Sequence, residues 1–153
     1  MTDEQFAPLP TSTATNLYDL MTDVIRAIEE EPKRLDMQDW YIPPGRASWL
    51  YEPGDRPACG TIACVAGWMV ILAKGPQWVA DVSPGAGLVS DVAYKMLAEA
   101  GLDEEGLFSA NLTDENDEMI HRNHPRYIPL AVARIREYRD RHAIDLKSTP
   151  ILR

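Results

Sequence analysis

Apolar side chains recur near the start of the chain with the period of a helix. Leu17, Leu20, Met21, Val24, Ile25 and Ile28 fall at i, i+3, i+4, i+7, i+8 and i+11, one stripe on an α-helix. Thr15 or Asn16 can cap its start, and Pro32 ends it. The spacing returns in Val89, Val92, Ala93, Met96, Leu97 and Ala100. Gly101 then stands where a left-handed C′ residue belongs, and Leu102 can fold back on the last turn. Ile128, Ala131, Val132, Ile135 and Tyr138 predict a further helix over 128–142. Between these amphipathic stretches, Ile62 to Ala73 is apolar throughout, which predicts a helix over 62–74, enclosed on all sides and stopped at Gly75-Pro76. A glycine inside a helix costs about 1 kcal/mol against alanine, so Gly67 points to a packing requirement. Asp103, Glu104 and Glu105 suit the start of a short helix carrying Leu107 and Phe108, and one helical turn is expected near Glu115 to Ile120. No sustained strand-like alternation and no repeat occurs. The pattern predicts an all-α fold, four or five helices packed around the central apolar one.

Other segments have no period. Residues 1–14 are rich in Pro and Thr and read as a flexible N-terminal arm, and 146–153 read as a loose C-terminal tail. Residues 33–58 form a long loop in which Trp40, Tyr41, Trp49 and Tyr51 stand among prolines and glycines, and 75–87 is a second Pro/Gly loop. Loops of this length in a compact domain are functional or packed as lids. Here the rings either fill the edge of the core or form a surface for a partner.

With 153 residues, one domain is expected over the whole chain. Lys plus Arg is 15 and Asp plus Glu is 24, a net charge of −9, which disfavours nucleic acid and anionic lipid as partners. The run from Ile62 to Ala73 is too short to span a bilayer, and the first ten residues carry Asp3 and Glu4 rather than the apolar core of a signal peptide. A cytoplasmic protein with no membrane contact is expected. The charge is unevenly spread. Residues 99–118 hold Glu99, Asp103, Glu104, Glu105, Asp114, Glu115, Asp117 and Glu118 without a Lys or Arg, whereas 121–142 hold Arg122, Arg126, Arg134, Arg136, Arg139 and Arg141. The two stretches either trade ion pairs or leave an acidic surface for a basic partner or a second copy.

The string with the most chemistry is Cys59-Gly60-Thr61-Ile62-Ala63-Cys64-Val65-Ala66-Gly67-Trp68. With Thr61 as N-cap, Cys64 falls in the first helical turn, where unpaired N–H groups favour a thiolate. Three readings follow. Cys59 or Cys64 could be a nucleophile served by a histidine, with His142 the first to consider because it lies on the apolar side of the last helix. The papain-type signature is nevertheless absent, and His121, His124 and His142 lie closer in sequence than that family's spacing. Cys59, Cys64, His121 and His124 could instead be zinc ligands, although the histidine pair is tighter than usual. The third reading is structural: cysteine packs as a small apolar group, and Cys64→Ser is then expected to cost roughly 1–3 kcal/mol. The sequence leans to the third, away from catalysis and without a cofactor. No Walker A, GxGxxG, HExxH or GxSxG string occurs.

Several blocks in order resemble a known family. They are Leu35-Asp36-Met37-x-x-Trp40; Cys59-Gly60-Thr61-x-x-Cys64-x-Ala66-Gly67-Trp68; Ala93, Leu97, Gly101 and Leu102; and Leu107-Phe108. Over roughly residues 17–140 the chain is similar to a family of small uncharacterised proteins from actinobacteria, other bacteria and their phages. The resemblance implies a shared fold and ancestry and brings no assigned activity. The tryptophan that usually follows the Leu-Phe pair is replaced here by the acidic stretch.

The leading expectation is a non-catalytic interaction protein, phage-borne by resemblance and then located in the host cytoplasm. It would bind a protein partner or itself through Trp40, Tyr41, Trp49 and Tyr51 together with Asp103, Glu104, Glu105, Asp114, Glu115, Asp117 and Glu118. The rival is a small cysteine-dependent enzyme or zinc-site protein centred on Cys59 and Cys64.

Overall fold

The computed structural model describes residues 6–75, 77–78, 81 and 86–151. Much of the 75–87 loop lies outside them, as do the first five residues of the arm and the last two of the tail. Among the described residues there are six α-helices and no strand, so the fold is all-α.

The first helix, α1 (Leu17–Glu30), starts at Asn16, whose side chain accepts from Asp19 N at 2.9 Å, and its predicted stripe is buried. The central helix, α3 (Val65–Lys74), is preceded by a short α2 (Pro44–Leu50) that the loop reading did not foresee. Residues Val65 to Ala73 are all buried, as the uninterrupted apolar run predicts, and α3 packs on α1 and on α4 (Ala86–Glu99). At the end of α4, Gly101 has φ +74, Gly101 N donates to Ala98 O and Leu102 N to Leu97 O. This is the double hydrogen-bond pattern of a glycine-closed helix end, as expected. Helix α5 (Tyr127–Arg141) packs on α1. Its buried face opens with Tyr127 rather than Ile128.

Four local expectations are corrected. The central helix does not begin at Ile62: Ile62 pairs with Ile42 and Ala63 with Leu35, so their backbone groups serve the 34–42 loop instead of a helical ladder. Cys64, not Thr61, is therefore the N-cap. No short helix carries Leu107 and Phe108. Glu105 (φ +47) and Gly106 (φ +82) are successive left-handed residues, which turn the chain while Leu107 and Phe108 still enter the core. The turn expected near Glu115 to Ile120 is a narrow loop instead. Thr113 bridges Met119, Asp114 N donates to Glu118 O at 2.9 Å, and Asp117 is left-handed (φ +59). Finally, the tail is docked rather than loose. A sixth helix, α6 (Ala143–Lys147), buries Leu146, after which Leu17 N donates to Thr149 O and Ile151 N to Thr15 O. The C-terminal segment thus supplies an acceptor to an amide at the start of α1 that has no helical partner. The arm also has contacts, since Ala7 N donates to Ala58 O and Ala14 is buried.

Candidate functional site

The loop from Leu35 to Trp40 crosses the N-terminal end of α3 beside Cys64. Its backbone is fixed on three sides. Asp36 N donates to Ala63 O, Cys64 N donates to Asp39 O at 2.7 Å, and Met37 N donates to the Tyr127 hydroxyl at 2.8 Å. The loop can lie this close because Gly67 has no side chain: a Cβ there would stand 1.9 Å from the Trp40 carbonyl oxygen. This is the packing requirement that a mid-helix glycine implied.

Cys59 and Cys64 are free thiols, each only 2% exposed. Cys59 Sγ reaches Thr61 O at 3.7 Å. Cys64 sits at the N-cap, yet burial pushes its thiol up to about 11, against the smaller opposing pull of the Gly67 and Ala66 amides. The expectation of a thiolate is overturned because desolvation outweighs the helix end. No histidine is among the causes of that shift; the carboxyl nearest in effect is Asp39, which when ionised raises the thiol further. His142 is engaged elsewhere, with Nε2 2.7 Å from Glu105 and its ring against Tyr138. His124 Nδ1 accepts from Arg126 N. Among the described residues no three His, Cys, Asp or Glu side chains are grouped to hold a metal, so Cys59, Cys64, His121 and His124 do not assemble into a four-ligand site. Beside Cys64 is a cavity of about 200 Å³ lined by Met37, Gln38, Trp40, Cys64, Phe108 and Ala110.

This placement changes the expected outcome of Cys64→Ser. A serine at an N-cap gains a capping bond of about 0.5–2 kcal/mol, which offsets the apolar burial it loses. We expect a net change within about 1 kcal/mol, measured by denaturant unfolding, in place of the larger loss anticipated from burial alone. Both thiols should react slowly with an alkylating reagent at neutral pH and rapidly once the chain is unfolded; fast stoichiometric labelling of the folded protein would contradict the burial described.

The aromatic residues divide. Trp40 belongs to a cluster with Tyr94 and Phe108, at centroid distances of 6.2 and 6.3 Å, and Tyr41 packs half-buried on the core. Trp49 points away from the protein, 91% exposed, beside Leu50 at 57%. Tyr51 turns inward, and its hydroxyl donates to Asp36 Oδ2 at 2.6 Å with Asp39 Oδ2 at 3.4 Å. The Arg122 guanidinium covers the Tyr51 ring at 4.7 Å and donates to the carbonyls of Leu35, Lys33 and Asp55. The reading of residues missed this cluster of Asp36, Asp39, Tyr51 and Arg122. The signal available was two carboxylates, Asp36 and Asp39, just before Trp40 in a segment without helical period, with Tyr51 later in the same loop.

The acidic stretch is partly consumed inside the fold. Glu104 accepts from Phe108 N, and Asp114 accepts from the amides of Asn116 and Glu118. Glu105 pairs with His142 and Arg141, and Glu115 with Arg126 at 2.9 Å. The two carboxylates of these pairs are held below the ordinary glutamate range, Glu105 chiefly by His142 and Glu115 chiefly by Arg126. The acidic and basic stretches do trade ion pairs. Asp103, Asp117 and Glu118 are exposed. No helix among the described residues is long and apolar enough to cross a membrane.

Comparison of the chain with protein-family models, with curated proteins and with solved structures gave no match.

Proposed function

We propose that the protein is a non-catalytic interaction protein that binds a protein partner, either a second copy or another chain. The observation that carries this reading is the outward face of α2, where Trp49 and Leu50 stand side by side in solvent with Arg46 one turn earlier. A tryptophan offers roughly 150–250 Å² of apolar surface, and exposed apolar groups of this kind mark contact sites where a few aromatic and arginine anchors dominate the energy. The exposed carboxylates of Asp117 and Glu118, at the tip of the 113–119 loop, give the acidic part of the surface. A second copy could set its basic and aromatic α2 face against that loop. The phage or actinobacterial ancestry belongs to the same reading and rests on the resemblance of the sequence blocks over roughly residues 17–140; a cytoplasmic location is proposed with it. The cysteine-enzyme and zinc readings have no comparable support, because both thiols are buried, His124 and His142 serve other partners, and no metal-holding group occurs among the described residues.

The test compares the wild-type chain with Trp49→Ser and Leu50→Ser, both at exposed positions where folding should be unaffected. Sedimentation velocity over a broad concentration range is expected to show association that both substitutions abolish while the melting temperature stays constant. If the wild type is monomeric throughout, matched affinity capture decides. A protein held by the wild type and lost by both variants supports the reading; identical captures by all three baits remove it.

A further inference from the structure

The Asp36–Tyr51–Asp39 arrangement contains one proton too few if both carboxylates are charged. A phenol has a single O–H to donate. Its 2.6 Å bond to Asp36 Oδ2 has the length of a charge-assisted bond, so the proton is committed to Asp36, which is only 8% exposed and also accepts from Gln38 N. The Tyr51 oxygen is then left facing Asp39 Oδ2 at 3.4 Å with lone pairs only. An ionised Asp39 is repelled there; a protonated Asp39 can donate to Tyr51 and complete the chain.

We propose that Asp39, Tyr51 and Asp36 form a proton-operated latch between the 35–40 loop and the segment that follows α2. With its proton, Asp39 donates to Tyr51 and Tyr51 donates to Asp36, so the two segments are fastened. Without it, the Asp39 link is lost, the two carboxylates repel, and the loop is held on this side by Asp36 alone. Because Met37, Gln38 and Trp40 wall the cavity beside Cys64, the latch also governs how tightly that cavity is closed.

The surroundings shift the balance of Asp39 toward its protonated form. Burial and the Asp36 charge raise its carboxyl above the ordinary aspartate range; the opposing influences, a Tyr51 proton turned from Asp36 toward Asp39 and the Arg46 charge from α2, are smaller. Tyr51 is itself raised, first by burial and then by Asp36, with Arg122 opposing, so it remains a neutral donor. The remaining ionisable neighbours are Tyr127 on α5, pushed up to about 12, and Cys64 at the start of α3, up to about 11; both are neutral at physiological pH. A group whose carboxyl is raised by folding contributes stability that is full below the unfolded value and is lost as pH rises through the folded value. The latch therefore tightens as pH falls and slackens as pH rises through the raised value of Asp39.

Asp39→Asn places a permanent donor beside Tyr51. We expect Asp39→Asn to melt above the wild type at neutral pH and the difference to close in mild acid. Tyr51→Phe, which removes the relay, should erase that pH-dependent difference when combined with Asp39→Asn. A side-chain carboxyl titration of the wild type by NMR, which needs no variant to fold, should give Asp39 a midpoint above the ordinary aspartate value. Melting of Asp39→Asn at or below the wild type at neutral pH, as for a simple Asp39–Arg46 pair, or an Asp39 midpoint at or below the ordinary value, would overturn the latch.

Discussion

Met69→Asp is expected to leave the chain unfolded. Met69 lies in the middle of α3 with no exposed surface, on a helix whose residues from Val65 to Ala73 are all buried. A carboxylate there has neither water nor a cation to pair with, and burying an unpaired charge is among the few changes that exceed about 4–5 kcal/mol. A small domain has only about 5–15 kcal/mol in total, so one such change removes most of it. Val65→Asp should be milder. Val65 is equally buried but is the first residue of the helix, where a negative charge recovers roughly 0.3–1 kcal/mol from the unpaired amides. Circular dichroism and denaturant unfolding of the two variants should therefore rank Met69→Asp below Val65→Asp, and both far below the wild type. A soluble Met69→Asp protein that melts like the wild type would contradict the central placement of α3.

That placement was legible in the sequence because burial on every face needs only a run of apolar residues. The same holds for α1 and α4, whose stripes, cap and glycine stop are short-range signals. What was not legible depends on partners far along the chain. Ile62 and Ala63 look helical by composition, yet Ile42 and Leu35, more than one loop away, take their backbone groups and move the helix start to Val65. That shift carries Cys64 from the first turn to the N-cap and, with its burial, turns an expected thiolate into a neutral thiol. The short helices α2 and α6 are too brief for a period to declare itself. The four aromatic residues of the long loop could not be sorted by type either. Trp49 and Tyr51 are two residues apart, and only the end of α2 between them sends one to solvent and the other onto Asp36.

Gly67→Ala should be nearly as damaging as a buried charge, although alanine is the better helix former. On propensity alone the substitution gains about 1 kcal/mol. The added Cβ would lie 1.9 Å from the Trp40 carbonyl oxygen and 2.7 Å from Ala63 Cβ. A flexible side chain could swing away from such a contact, but the Trp40 carbonyl is backbone, in a segment tied down on both sides of it. Cys64 N holds Asp39 O, and Ile42 exchanges hydrogen bonds with Ile62 at 2.7 and 3.1 Å. Relief requires either that α3 retreat from the loop or that the loop give up these bonds. Overpacking a rigid site costs about 1–3 kcal/mol, and each buried backbone bond lost adds about 1 more, so a net loss of roughly 3 kcal/mol is expected. Gly45→Ala is the matched control, because it lies in α2 and its Cβ would meet nothing within 4 Å. There the lower entropy of the unfolded chain should stabilise by about 0.4–1 kcal/mol. Opposite signs for two Gly→Ala changes within one protein, read from urea midpoints at constant slope, are the signature of the close approach at Trp40. If Gly67→Ala is as stable as the wild type, the loop does not rest on α3 as described. The cavity wall and the latch at Asp39 would then lose the support on which their geometry depends.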